Sequence, residues 1–388
     1  MVIDYGKNPL VNSLLDKEEL GQEKTYPLVV EQCQKCFLVQ IVNPISSKQI
    51  YQDQDYLYYT GDMPQESQYI RSFNSLVADL EKMTKSGDFI VEIGSNDGTV
   101  LGKFRERKLL GVDPSTNVVA RAIARGVPTL AAEFNERTAR NIAKEFGPAK
   151  VVGGANCLAH INDIHSVLKG VKALLAKDGI FWVECNYWVG MVKEKHYALI
   201  YHDHYSYFTL KNWVDLAKIY GLEVFDAYVT EAQGEGLSLR LYAGYNKKPT
   251  KRFLSLLAED KKYNNYRVAQ QYRRDVLGEA QKLGNLVRGL KGTVAGYGAA
   301  AKGFSILKLA QLDGRHIKFL VDDSPAKQGK YSPVTHIPIV SRAEAAKKLP
   351  DYFIILAPNY AKVIMEKEKD FIAHGGKFIL PVGNVGIV

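Results

Sequence analysis

The chain has 388 residues, 46% of them hydrophobic, enough for two or three domains of about 150 residues each with substantial cores. No apolar run approaches the roughly 18 residues of a membrane span, and the amino terminus lacks the charged-then-apolar pattern of a secretory signal, so the expectation is a soluble, cytoplasmic protein with no membrane partner. The net charge of +9 is spread along the sequence, densest between Lys251 and Lys291, rather than gathered into a basic face with stacking aromatics, which argues against a nucleic-acid partner and suits an anionic small molecule.

Residues 1–66 read as a small irregular domain, with Pro9, Pro27, Pro44 and Pro64, the pair Cys33-Gln34-Lys35-Cys36, and the cluster Tyr56, Tyr58, Tyr59. Such a stretch is short of core and needs a metal or a partner domain to order it. Residues 67–246 alternate short apolar runs with helical periods: Phe89–Ile93, Leu109–Val112, Val151–Gly153, Gly179–Glu184, Glu223–Ala227 and Ser238–Tyr242. That alternation predicts an α/β domain with a mostly parallel sheet covered by helices. Residues 250–290 hold leucines and valines at helical spacing and no proline, predicting one long or broken helix that bridges to a third part. There the strand-and-turn string Val294-Ala295-Gly296-Tyr297-Gly298 and the apolar runs at 319–323 and 353–358 repeat the rhythm, so 247–388 reads as that bridge followed by a second, Rossmann-like domain.

The stretch Phe89-Ile90-Val91-Glu92-Ile93-Gly94-Ser95-Asn96-Asp97-Gly98 is a buried strand entering a glycine turn, and Asp113 ends the next apolar run. The spacing G-x-x-x-G with a preceding acid resembles motif I of class I S-adenosylmethionine methyltransferases, with Asp113 as the ribose-binding acid. A pyrophosphate needs bare backbone N–H groups at a helix start, whereas a cationic sulfonium does better near carboxylates such as Glu92 and Asp97. The donor residues implied are Glu92, Gly94, Ser95, Gly98 and Asp113, joined by Asn156 after the fourth strand. Phe134 either flanks the adenine or is a core aromatic at a strand end, and Glu184 ends a strand at the ligand rim of the sheet. The alternative is that the glycines serve only a tight turn and Asp113 only a cap.

Tyr201-His202-Asp203-His204-Tyr205-Ser206-Tyr207-Phe208, Gly298-Ala299-Ala300-Ala301-Lys302-Gly303, Val321-Asp322-Asp323-Ser324-Pro325 and Asn156-Cys157-Leu158-Ala159-His160 resemble the three-domain sugar C-methyltransferases that act on nucleotide-linked 4-keto-deoxysugars. The resemblance covers nearly the whole chain and implies methylation of the carbon beside the keto group. Such a carbon is nucleophilic only after a base removes its proton and the enolate is stabilised, and histidine suits the proton step. The resemblance points to His204 as base or as the residue orienting it, with His202 beside it and Tyr58 donating to the keto oxygen. Tyr56, Tyr59, Tyr201 and Tyr297 are expected at the acceptor, and Lys302 at its phosphate.

Two departures stand out. The family's zinc domain has two C-x-x-C pairs, and this chain, which begins at Met1 just where the first would end, has only Cys33 and Cys36; two thiolates do not complete a tetrahedral site, so zinc is bound only if other ligands join them. Where the family has histidine before Gly-Gly-Ser-Leu-Arg, this chain has Glu235, with Leu237 for the second glycine; a buried carboxylate with a raised pKa could still act as base. An acceptor that is a keto acid, an amine or a hydroxyl of another small molecule therefore stays open. So do a binding protein without turnover and, from Gly296-Tyr297-Gly298, a nicotinamide-dependent sugar oxidoreductase.

Overall fold

The computed structural model describes the whole chain except residues 11, 12, 52–55, 57 and 235 and the side chain of residue 301. The chain divides into two compact units: residues Met1–Gln32, Met191–His204 and Tyr266–Val388 form one, and Cys33–Gly190 with Tyr205–Asn265 form the other.

The second unit is built on a seven-stranded sheet: β1 (Phe89–Ile93), β2 (Lys108–Asp113), β3 (Thr129–Ala131), β4 (Ala149–Ala155), β5 (Leu175–Asn186), β6 (Glu223–Thr230) and β7 (Ser238–Gly244), in the order β3-β2-β1-β4-β5-β7-β6. Strand β7 runs antiparallel to both neighbours, and the other pairings are parallel. Strand β1 lies in the middle and its residues alternate between the two faces, as the pleat requires. Ile90 packs under helix α1 (Gln68–Met83) with Phe73, Leu76, Val151 and Trp182. Val91 and Ile93 pack on the opposite face with Val152, Phe181 and the helix Ile164–Leu174. Burial on both faces explains why β1 and β4 read as continuous apolar runs. Between β2 and β3 lies helix α2 (Thr116–Ala124).

The other unit carries a six-stranded sheet of β8 (Val294–Tyr297), β9 (Leu320–Val321), β10 (Ile339–Val340), β11 (Tyr352–Ile355), β12 (Lys377–Leu380) and β13 (Gly386–Ile387), ordered β10-β9-β8-β11-β12-β13 and parallel except for β13. Its core is aromatic, with Tyr297, Phe319, Phe353, Phe371 and Phe378 in contact. Strands Ile3–Asn8 and Tyr26–Gln32 pair antiparallel in this unit.

The helical stretch over 250–290 is broken. Helix Lys251–Asp260 belongs to the sheet of the second unit, and helix Tyr266–Gly289 to the other. The break follows Asp260, whose buried carboxylate accepts from the backbone N–H groups of Leu210 and Lys211 and from Tyr187 Oη, capping the helix that begins at Leu210. Among the described residues no helix is long and apolar enough to cross a membrane.

Candidate active site

The carboxyl end of β1 opens into the turn 94–98 at the switch point of the sheet, between β2 on one side and β4 on the other, where doubly wound folds bind ligands. Gly94 takes φ +62° and its N–H bonds to the carbonyl of Val112, locking the turn to β2. A Cβ at Gly94 would stand 2.5 Å from the Cβ of Cys157, so only glycine fits. Asp113 ends β2 with one carboxylate oxygen accepting from the N–H of Asn96 and the other from that of Ser115, each at 3.0 Å.

These residues wall a cavity of about 620 Å³. It is lined by Ile93, Gly94, Asn96, Val112, Asp113, Phe134 and Asn156, and by the rings of Tyr51, Tyr56, Tyr58, Tyr69, Phe73 and His160. Phe134 satisfies both readings, since it lines the cavity and is 5% exposed in the core. Glu92, Ser95 and Gly98 lie beneath the wall rather than on it. Glu92 Oε2, Ser95 Oγ and Asn156 Nδ2 are buried without hydrogen-bond partners among the described residues. Burial, reinforced by the charges of Asp113 and Asp97, holds the Glu92 carboxyl well above the usual range, and burial raises that of Asp113 against the pull of its two N–H bonds. Two buried carboxyls short of positive charge, with unpartnered polar atoms around them, fit a ligand that brings hydroxyl and cationic groups, as S-adenosylmethionine does.

Asp97 does not face this cavity. It is fully buried and accepts from Thr99 Oγ1 at 2.6 Å, Thr60 Oγ1 at 2.7 Å and the N–H of Gly61 at 2.9 Å, with Arg125 at 2.8 Å. Glu184 is not at a ligand rim either: it is an entirely buried ion-pair partner of Arg240 at 2.6 Å, with Ser72 Oγ donating to it. Tyr59 is held away from the cavity, its hydroxyl accepting from Asn117 Nδ2 at 2.7 Å and its ring under the Arg121 guanidinium. Tyr58 is 40% exposed.

His160 is a cavity residue that the sequence reading quoted but gave no role. Its Nδ1 lies 2.9 Å from Tyr51 Oη, and burial lowers its pKa to about 4, so the ring is neutral at pH 7. Its place four residues after Asn156, beyond a central parallel strand, was the available signal.

His202, His204, Tyr201, Tyr297 and Lys302 belong to the other unit. His204 Nδ1 lies 2.6 Å from the carbonyl of Leu199, which can only accept, so Nδ1 carries the proton and Nε2 accepts from Tyr201 Oη at 3.0 Å. His202 is buried with Nε2 unpartnered among the described residues, and burial lowers its pKa despite backbone carbonyls around it. Tyr297 Oη donates to Glu368 at 2.8 Å. Lys302 stands at the start of helix Ala301–Leu309, its pKa lowered by burial to about 8. In the same unit Asp322, just after β9, accepts from the N–H groups of Ala299 and Ser324, the arrangement Asp113 has in the second unit, and pairs with Lys327 at 3.2 Å.

Glu235 lies outside the described residues. Cys33 and Cys36 stand on a turn closed by the N–H of Phe37 bonding to the carbonyl of Cys33, with Cys36 exposed. Among the described residues no group of three or more His, Cys, Asp or Glu is placed to hold a metal, and the two thiols alone fall short of the four ligands of a tetrahedral zinc site.

The chain matches three family models: a putative zinc binding domain over residues 1–51, a methyltransferase domain over 65–227 and a C-methyltransferase C-terminal domain over 233–383. It is 36% identical to the C-methyltransferase NovU of Streptomyces niveus over 395 residues, covering 98% of this chain and 92% of that one. Among solved structures, the 1,6-didemethyltoxoflavin-N1-methyltransferase of Burkholderia thailandensis aligns with a TM-score of 0.38 at 14% identity over 57% of this chain and 99% of that one. An S-adenosylmethionine-dependent methyltransferase of Clostridium acetobutylicum aligns with a TM-score of 0.38 at 10% identity, over 48% and 93%. The chain belongs to the family of S-adenosylmethionine-dependent C-methyltransferases.

Proposed function

We propose that this methyltransferase, working in the cytoplasm, methylates the carbon beside the keto group of a nucleotide-linked 4-keto-deoxysugar. The observation that carries the reading is the β1–β4 crevice, lined by Asp113, an acceptor suited to two ribose hydroxyls, with Glu92 Oε2, Ser95 Oγ and Asn156 Nδ2 buried at it or beneath it and unpartnered among the described residues. S-adenosylmethionine, when bound, supplies an electrophilic methyl group on a positively charged sulfur. The rest is the work of the chain. In the other unit the Tyr201–His204 pair has the form of a proton relay: Nε2 already holds the Tyr201 hydroxyl, and passage of that proton to Nε2 as the tyrosine oxygen takes one from a carbon beside a carbonyl leaves an enolate, the nucleophile the methylation needs. Tyr58 on the crevice wall is a donor for the enolate oxygen, with Tyr56 beside it. Lys302, still cationic at neutral pH at a helix N-terminus, suits a diphosphate, whereas Tyr297 is buried with its hydroxyl given to Glu368 and does not. A division at 1–66, 67–246 and 247–388 is part of the same proposal; the family models match 1–51, 65–227 and 233–383.

The test is calorimetric titration of S-adenosylhomocysteine into the wild type and Asp113→Ala, followed by thymidine diphosphate into the donor-bound protein. Donor binding weakened at least about a hundredfold by the substitution, together with a nucleotide site, is the expected result, since two charge-assisted hydrogen bonds are removed. Donor binding with no nucleotide site would replace the nucleotide-linked sugar by another small acceptor.

A further inference from the structure

The donor turn holds more than the donor. Asn96 and Asp97, at its apex, reach across to a segment of chain some 36 residues earlier. Asn96 Nδ2 donates to the carbonyl of Tyr58 at 2.9 Å and its Oδ1 accepts from the N–H of Thr60 at 3.1 Å, a two-bond backbone clasp. Asp97 continues the clasp through Thr60 Oγ1 and the N–H of Gly61. A Cβ at Gly61 would stand 2.6 Å from the Asp97 carboxylate and 2.2 Å from the Arg125 guanidinium, so the strap runs directly over this ion pair and a side chain at 61 would displace its ends.

Helix α2 grips the same segment from its other edge. Asn117 bonds both the N–H and the carbonyl of Tyr56, and Arg121 pairs with Asp62 while its guanidinium covers the Tyr59 ring at 4.5 Å. Tyr56, Tyr58 and Thr60 of the strap line the crevice together with Asn96 itself. Asn96 is also the residue whose N–H is bound by Asp113. One short turn therefore joins the acid that faces the ribose to the tyrosines that face the acceptor.

We propose that Asn96 and Asp97 are positioning residues that tie the tyrosine strap to the donor turn, so that filling the donor site orders the acceptor wall before the acceptor arrives. The proposal rests on the crevice being the donor site. Its chemistry is a fixed one. Asp97 would have its pKa raised by burial, yet the hydrogen bonds from Thr99, Thr60 and Gly61 and the charge of Arg125 hold it lowered, so the clasp is a carboxylate at neutral pH. It makes no contact with the cavity, so its effect on methyl transfer passes through Tyr56 and Tyr58.

The test follows amide hydrogen exchange over the strap and S-adenosylhomocysteine affinity together, in the wild type, Asp97→Asn and, because a buried ion-pair residue is a risk to folding, Thr60→Val. In the wild type, S-adenosylhomocysteine is expected to slow exchange at residues 58–62. In the two variants its affinity should stay within about threefold of the wild type, while the slowing is reduced by about tenfold or lost, as one or two buried bonds are removed. Variants that keep the full slowing would overturn the coupling. A variant that folds but loses donor affinity in proportion would show that the clasp serves the donor alone and would equally overturn it. Absence of S-adenosylhomocysteine binding in the wild type would instead remove the donor reading on which the coupling stands.

Discussion

At the scale of single residues, burial without a partner is the recurrent device. Asp203, between the two histidines of the Tyr-His-Asp-His string, is 5% exposed, has Oδ1 unpartnered among the described residues, and has its pKa raised by burial to about 7. An aspartate in the unfolded chain titrates near 3.9, so between that value and 7 the folded protein holds a proton the unfolded chain has released. Stability from this group is therefore greatest at low pH and is lost as pH rises through that window, by about 1.4 kcal/mol per unit. Comparing melting temperatures of the wild type and Asp203→Asn at pH 6 and pH 8 isolates the group. The wild type should lose on the order of 1 kcal/mol relative to the variant on going to pH 8. A constant difference between the two would mean that Asp203 is ionised throughout and balanced by a cation.

At the scale of elements, what was legible in the sequence and what was not divide along a physical line. Strands β1, β2, β4 and β5 are sandwiched between helices and so appear as unbroken apolar runs; their order of glycine turn and acid pointed to the crevice directly. Strand β3 is three residues long with exposed side chains, and it left no such run. The direction of Asp97 was hidden because its partners, Thr60 and Gly61, come from a strap far back in the chain, and a carboxylate in a donor turn looks the same from either side. His160 was hidden because a histidine after a strand announces nothing until the cavity wall is drawn. Gly94 tests the part that was legible. Alanine there combines a positive φ with a 2.5 Å clash against Cys157, and strain of this kind costs about 1–3 kcal/mol. The turn must shift to relieve it, taking the bond from Gly94 N–H to Val112 with it. Gly94→Ala is therefore expected to weaken S-adenosylhomocysteine binding by about tenfold or more while the sheet keeps its far-ultraviolet circular dichroism. Unchanged affinity would place the donor away from this turn.

At the scale of the whole molecule, the order of the chain is not the order of its compact units. Residues 191–204 follow β5 in sequence but belong to the other unit. Three hydroxyl groups from distant parts of the sequence hold that segment by its carbonyls: Tyr5 Oη bonds Tyr197 O at 3.0 Å, Tyr272 Oη bonds His196 O at 2.8 Å and Ser305 Oγ bonds Ile200 O at 2.8 Å. All three anchors are buried, and they come from the first strand, the long helix Tyr266–Gly289 and the helix after the β8 turn. The geometry of the Tyr201–His204 pair is thus set by residues that lie before and after the methyltransferase sheet in sequence, which explains why the Tyr-His-Asp-His string could be recognised but its tautomer could not. Tyr272→Phe removes one anchor and leaves a buried carbonyl short of its partner, at a cost of about 1–3 kcal/mol. The expected result is a lowered melting temperature together with a change in the ring-nitrogen chemical shifts of His204 in the ¹⁵N-histidine-labelled protein, because the Nε2 bond to Tyr201 lengthens when the segment slackens. S-adenosylhomocysteine affinity should not change, since the crevice proposed to bind it is built from the second unit. A shift of the melting temperature with the His204 signals unmoved would mean that Tyr201 and His204 hold their geometry without the outer anchors, and the proposed relay would then be a local property of the turn itself.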